Sequence, residues 1–380
     1  VNLVKLRKLF YEEVAKCTRC GFCLPNCPTY AVQRTEAATP RGRNALTRAV
    51  IEGQLEPSAE IAASIFSCFG CGACTQACFP AVKTRDLVTA DRELLVKAEL
   101  HPRIMAKLAE SLNEYHNISG DDNDERGDWR ELIRGLPEDA FEKDRAEMAY
   151  FVGCVASFFP LAQRIPAHAA QVMDRAGLDF AILGGQEWCC GFPLLGAGQP
   201  EKMGRLIEHN LDKVAELKAR RVVFSCPSCL HTWKNLYRTD LELLHWSQVV
   251  AGLIESGRLK LKRLEMKVTY HDPCDLGRNS GVYEEPRRVI RAIPGLDFVE
   301  MTPNRALSLC CGGGGNVEMV NPELSAAVAR LKIVQIQATG AEAVVSACQQ
   351  CLRTMATQVR RQGLDLQVLD LADLVALALD

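Results

Sequence analysis

Glu187-Trp-Cys-Cys-Gly-Phe-Pro193 sets two cysteines side by side, and Leu309-Cys-Cys-Gly-Gly-Gly-Gly315 does so again. Neighbouring Cα atoms across a trans peptide lie about 3.8 Å apart, short of the roughly 4.4–6.8 Å of a relaxed disulfide. The pairs therefore point to some other use of vicinal thiols. Each is the centre of a five-cysteine series: Cys154, Cys189-Cys190, Cys226 and Cys229, then Cys274, Cys310-Cys311, Cys348 and Cys351. The offsets from first series to second are 120, 121 and 122 for Cys154, Cys189 and Cys226. Short β-rich runs at 150–152, 222–224, 266–270 and 344–346 lead into Cys154, Cys226, Cys274 and Cys348. Helical patterns fill 166–176, 201–219, 284–292 and 322–337. Alternating β and α elements repeated at an offset that drifts by only one residue between anchors predict two duplicated α/β domains, 147–262 and 263–380.

The remaining eight cysteines precede residue 80. Cys17-Thr-Arg-Cys20-Gly-Phe-Cys23-Leu-Pro-Asn-Cys27-Pro28 has the C-x2-C-x2-C-x3-C-P spacing that carries [4Fe-4S] clusters in bacterial ferredoxins, where the fourth cysteine serves the other cluster. Cys68, Cys71, Cys74 and Cys78 repeat it, with Phe79 standing before Pro80. The expected ligand sets are Cys17, Cys20, Cys23 and Cys78 for one cubane cluster and Cys68, Cys71, Cys74 and Cys27 for the other. Zinc also takes C-x2-C pairs, but two identical four-cysteine runs exceed what a zinc site needs. The sequence between the runs has a helical pattern, so an α-helical ferredoxin domain is expected over 1–110. The polar stretch 117–128 reads as a solvated acidic loop within a linker, 111–146.

Eighteen cysteines among 380 residues, 48% of them hydrophobic, describe a multidomain globular chain devoted to metal or redox chemistry. The formal charge of −2 gives no reason to expect nucleic acid. Residues 1–50, however, carry nine Lys/Arg against Glu12, Glu13 and Glu36. Arg19, Arg34, Arg41, Arg43 and Arg48 would offset the charge of thiolate-bound clusters; the alternative is a docking face for an acidic partner. The apolar run 369–379 is broken by Asp370 and Asp373, so no transmembrane helix is predicted. The amphipathic, basic pattern of 1–10 reads as mature cytosolic sequence and not as a signal peptide.

The lone Cys, CCG and CxxC series resembles the cysteine-rich repeat of the heterodisulfide reductase family, in one branch of which a ferredoxin part is fused N-terminally. The resemblance runs from Cys17 to Cys351. It implies that each complete five-cysteine set holds a non-cubane [4Fe-4S] cluster at which a substrate disulfide is cleaved. Related subunits of glycolate, lactate and anaerobic glycerol-3-phosphate oxidation systems share the architecture, often with fewer cysteines. A cubane has four outward corners, so a fifth sulfur requires an opened cluster with bridging thiolates. Gly191 and Gly312–Gly315 are expected to let the backbone approach that cluster.

Two functions follow. One is disulfide reduction with electrons arriving through the cubane clusters. The other is a relay between a flavin dehydrogenase or electron-transferring flavoprotein and a quinone or cytochrome b. No G-x-G-x-x-G lies between a strand and a helix, so any flavin belongs to a partner protein. The expected location is cytoplasmic, with a partner bringing the complex to the inner face of a membrane. His271 is a candidate proton shuttle beside Cys274, although a strand-end histidine satisfied by hydrogen bonds is the plainer reading. His231, His245 and Trp188 are expected to be structural.

Overall fold

The computed structural model describes residues 10–133, 136 and 138–379. The amphipathic pattern over 1–10 falls, Phe10 excepted, outside the described residues. Two compact units cut across the boundaries expected from sequence. One comprises Val1–Glu110, Pro193–Glu201 and Ala306–Lys332; the other comprises Ser111–Phe192, Lys202–Arg305 and Ile333–Asp380.

In the first unit short helices carry the early cysteines. Pro28 opens helix α1 (Pro28–Gln33) with Cys27 extended at its N-cap, which is how the Cys-Pro step turns that thiol away from its neighbours. Helix α2 (Pro40–Ile51) starts at Thr39, whose hydroxyl accepts the Gly42 N–H at 2.8 Å. Ser58 caps α3 (Ala59–Phe66) in the same way through Ile61. Cys74 lies in the single turn α4 (Ala73–Gln76), and α5 (Thr84–Lys97) follows. No helix starts at Pro80: Phe79 stands 95% exposed.

The second unit contains two four-stranded parallel sheets. In the first, β1 (Met148–Phe151), β2 (Phe180–Ile182), β3 (Arg221–Phe224) and β4 (Glu242–His245) take the order β2-β1-β3-β4. In the second, β5 (Met266–His271), β6 (Leu296–Glu300), β7 (Ala343–Ser346) and β8 (Gln367–Asp370) take the order β6-β5-β7-β8. All four residues of β1 and of β7 are buried, as expected for parallel strands covered on both faces. Among the flanking helices are α6 (Cys154–Phe158), α7 (Arg164–Arg175), α8 (Pro227–Leu236), α9 (Trp246–Glu255), α10 (Glu284–Ala292), α11 (Gln349–Gln362) and α12 (Leu371–Leu377). The last helix of each sheet packs on a helix of the other: α9 on α10, with Arg288 paired to Glu255, and α12 on α7, with His168 Nδ1 2.7 Å from Asp373. One hydrophobic cluster, from Trp129 to Leu379, accordingly serves both sheets.

The stretch read as a solvated linker is built into this unit. Asn117 is fully buried and ties the turn after it through Ser119, Gly120 and Asp121, while a 3-10 segment (Asn123–Leu132) buries Arg126 and Trp129. Its acidic residues face water, and the composition reported only that face. Among the described residues no helix is long and apolar enough to cross a membrane.

Candidate functional site: four groups of cysteines

All eighteen cysteines are described, and none is in a disulfide. Eight of them border two cavities in the first unit. Cys17, Cys20, Cys23 and Cys78 line one, Cys27, Cys68 and Cys71 line the other, and Cys74 borders both. Among the described residues no histidine or carboxylate lines either, so the donors are sulfur only. An all-sulfur donor set of this size fits a four-iron cluster at each cavity. Arg19 and Arg41 border the first cavity, Arg43 and Arg85 the second. Arg34 and Arg48 border neither: Arg48 pairs with Glu52 at 2.7 Å and Arg34 lies over the Tyr30 ring. Burial, reinforced by neighbouring sulfurs, pushes the Cys23 thiol up to about 11, so binding iron there would expel its proton.

The first five-cysteine set lies wholly in the second unit. In open parallel sheets ligands bind beyond the carboxyl ends of strands where the order reverses; here that place is between β1 and β3. Cys154 follows β1, and Cys226 follows β3 with Cys229 in the first turn of α8. Asn210, fully buried, clamps the third segment by bonding the backbone of Trp188 and Cys189, and the Tyr237 hydroxyl donates to the Cys190 carbonyl at 3.2 Å. The thiols influence one another in succession, Cys154 with Cys189, Cys189 with Cys190, Cys190 with Cys229 and Cys229 with Cys226. Five buried sulfurs thus form one continuous group. Cys190 receives thiol hydrogen bonds from Cys189 and Cys229, which pull it down to about 6 against the effect of burial. Cys154, donating to Cys189 and desolvated, is held well above the usual thiol range.

Beside this group is an ion pair that no motif or spacing marks. Arg126 and Glu187 are each 1% exposed and 2.7 Å apart. Glu187 also accepts the backbone N–H groups of Val152 and Gly153 at 2.7 and 2.8 Å, and Arg126 Nη2 donates to the Cys154 sulfur at 3.4 Å. Burial works against the guanidinium charge, but Cys154 and Glu187 hold its pKa above the ordinary arginine value. Trp188 packs, as expected, sandwiched between His116 at 3.5 Å and His209 at 3.6 Å.

The second set is divided by the unit boundary. Cys274 follows β5, and Cys348 and Cys351 open α11 in the second unit; Cys310 and Cys311 belong to the first. There Cys310 bonds its neighbour Cys311 and, on the other side, the ferredoxin-run thiol of Cys71, and its own pKa rises to about 12. His271 closes β5 and is buried. Asp272 is held by Arg287 through two bonds of 2.6 and 2.8 Å. His245 is structural: its side chain caps α9, and burial drops its pKa to about 3.

The glycines of these segments lie in close contacts. A Cβ on Gly191 would lie 2.6 Å from Met203, one on Gly312 2.7 Å from the Ser325 carbonyl, and ones on Gly314 and Gly315 2.7 and 2.5 Å from the carbonyls of Phe69 and Cys68. These positions admit close packing against neighbouring backbone and side chains. Gly153 lies against a cysteine sulfur: its Cβ would meet Cys229 Sγ at 3.1 Å.

Each CxxC motif of the second unit also reaches the other sheet's site. Gln349, between Cys348 and Cys351, donates to the Val152 carbonyl at 2.6 Å and to the Ser225 hydroxyl at 2.9 Å, and accepts from the Ala156 N–H at 3.1 Å. In return Ser228, between Cys226 and Cys229, donates to Asp275 beside Cys274 at 2.7 Å.

Comparisons with known proteins agree with this arrangement. Residues 148–234 and 268–356 match the cysteine-rich CCG domain, and residues 13–81 match a 4Fe-4S dicluster domain. The chain is 33% identical to a dihydromethanophenazine:CoB–CoM heterodisulfide reductase subunit of Methanosarcina mazei, over 97% of this chain and 94% of that one. It is 28% identical to a fumarate reductase (CoM/CoB) subunit of Methanothermobacter marburgensis, covering 97% and 73%. With the EtfAB:quinone oxidoreductase of Syntrophomonas wolfei it shares 27%, covering 80% of this chain and 48% of that one. A ferredoxin domain followed by two CCG domains, each built on a parallel sheet, together with near full-length similarity, identifies the chain as an oxidoreductase iron–sulfur protein of the heterodisulfide reductase family, in the branch whose ferredoxin part is fused to the CCG repeats.

Proposed function

We propose that this chain is the component through which electrons pass from an α-helical ferredoxin domain with two cubane clusters to two non-cubane sites that reduce a disulfide. Cys17, Cys20, Cys23 and Cys78 would hold one cubane, and Cys27, Cys68, Cys71 and Cys74 the other. The five-cysteine sets starting at Cys154 and Cys274 would hold the opened clusters. When bound, these clusters supply the electrons and the iron sites for sulfur. Reduction of RS–SR′ takes two electrons and two protons and yields RSH and R′SH, so a pair of sites suits a substrate that leaves as two halves. The observation that carries this reading is the reciprocal bracing of the two CxxC motifs, Gln349 into the first site and Ser228 beside Cys274. A relay has no need of two sites held in register. The Cys71–Cys310 contact supports entry of electrons from the ferredoxin run. The donor is a flavoprotein or other redox protein, the compartment is the cytoplasm, and contact with a membrane cytochrome b or quinone is through a partner.

Anaerobic purification with iron counting and electron paramagnetic resonance tests this. About 16 irons per chain are expected for four four-iron clusters, with a paramagnetic state that appears only with a thiol or disulfide. About eight irons, the ferredoxin pair alone, and no thiol-dependent signal would favour the relay and end the disulfide reading. Gln349→Ala should remove three buried hydrogen bonds worth about 1 kcal/mol each. The thiol-dependent signal should weaken at unchanged iron content; a signal of full intensity would show that the bracing has no part in substrate capture.

A further inference from the structure

We infer that Arg126, held by Glu187, is a positioning residue whose guanidinium makes the first five-cysteine site more easily reduced than its sulfurs alone would. The inference rests on the proposed binding of clusters at both sets. Arg126 faces the sulfur of Cys154 with Nη2 at 3.4 Å, while its Nη1 holds Glu187 on the other side at 2.7 Å. Asn123 fixes the orientation, accepting from Arg126 Nε at 3.3 Å and donating to the carbonyls of Gly185 and Glu187. The Phe158 ring lies 5.2 Å from the guanidinium carbon. A cation so buried and so oriented has no surface role. Hydrogen bonds and positive charge at a cluster's thiolates stabilise the more negative, reduced state and raise the reduction potential.

Arg126 precedes the duplicated segment, and the 121-residue offset that relates Cys189 to Cys310 sets Ser308 where the first series has Glu187, so this ion pair is not part of the repeat. The second series has a buried arginine of its own, Arg287, which pairs with Asp272 and Glu300.

The test is a redox titration of the full chain, followed by electron paramagnetic resonance, with the first-site signal identified as the one lost in Cys190→Ser and kept in Cys311→Ser. Arg126→Met should lower the reduced-to-oxidised ratio of that signal at least tenfold at fixed potential, about 59 mV for a one-electron couple. Arg126→Lys, which keeps the charge without the planar fork, should recover part of it. Glu187→Gln, which leaves the guanidinium uncompensated, should shift the ratio the opposite way. Signals of the other clusters should not move. Unchanged midpoints in Arg126→Met and Glu187→Gln at full iron content would overturn the inference. Should Arg126→Met lose about four irons, Glu187→Gln decides, and a midpoint that does not rise overturns it. A wild-type chain with about eight irons would instead remove the parent proposal, and this inference with it.

Discussion

The double replacement Cys17→Ala with Cys78→Ala is expected to lose about four irons of roughly sixteen, no more than either single replacement. Cys17→Ala with Cys27→Ala is expected to lose about eight. The asymmetry follows from the cavities: Cys78 borders the same space as Cys17, Cys20 and Cys23, although 61 residues separate it from Cys17, and Cys27 borders the space of Cys68 and Cys71. If each four-cysteine run instead served its own cluster, the two losses would be exchanged. Iron content with the intensity of the reduced-cluster signal reads the result directly. It does so without activity, so it stands apart from any question of substrate.

A second large effect is expected at Arg92, in α5. Its guanidinium donates to the carbonyl of Cys68 at 2.6 Å, Gly196 at 2.9 Å, Gly315 at 3.1 Å, and Ile65 and Phe66 at 3.3 and 3.5 Å. It therefore closes the C-terminal end of α3, where carbonyls lack helical partners, and ties that end to the helix after the first vicinal cysteine pair and the loop after the second. Burial lowers its pKa to about 10, so it remains charged at neutral pH. Arg92→Met leaves those carbonyls without their donor, at about 3–5 kcal/mol, a large share of the 5–15 kcal/mol typical of a folded domain. Arg92→Lys, with a point charge in place of the fork, should lose less. Urea unfolding monitored by circular dichroism is the measurement; equal midpoints for wild type and Arg92→Met would show that the five contacts add nothing.

The parts of this fold legible in the sequence are those whose signal is local. Parallel strands place their carboxyl ends at the site, so the runs leading into Cys154, Cys226, Cys274 and Cys348 announced both the sheets and the residues beyond them. Cysteine spacing likewise specified chemistry, because sulfur ligands three residues apart share one turn. Arg126 carried no such mark. Its partners lie 28 and 61 residues away, and the acidic residues around it describe the wet face of a segment whose other face is buried. Glu187 stands in the very stretch that revealed the repeat, yet only the backbone amides of Val152 and Gly153 and the arginine give it a role. The glycines were legible as places needing room but not as to what fills it. Gly314 and Gly315 lie against the backbone of Cys68 and Phe69, a neighbour that spacing along the chain could not name.

The Arg92 contacts bear on how this protein is made. Gly315 is 223 residues downstream of Arg92. At about 5–20 residues per second a ribosome needs on the order of 10–45 s to cover that distance. Until then the N-terminal cysteine runs have emerged, but the backbone that closes over them has not. For that interval Arg92 is without the Gly315 carbonyl that it holds in the finished unit.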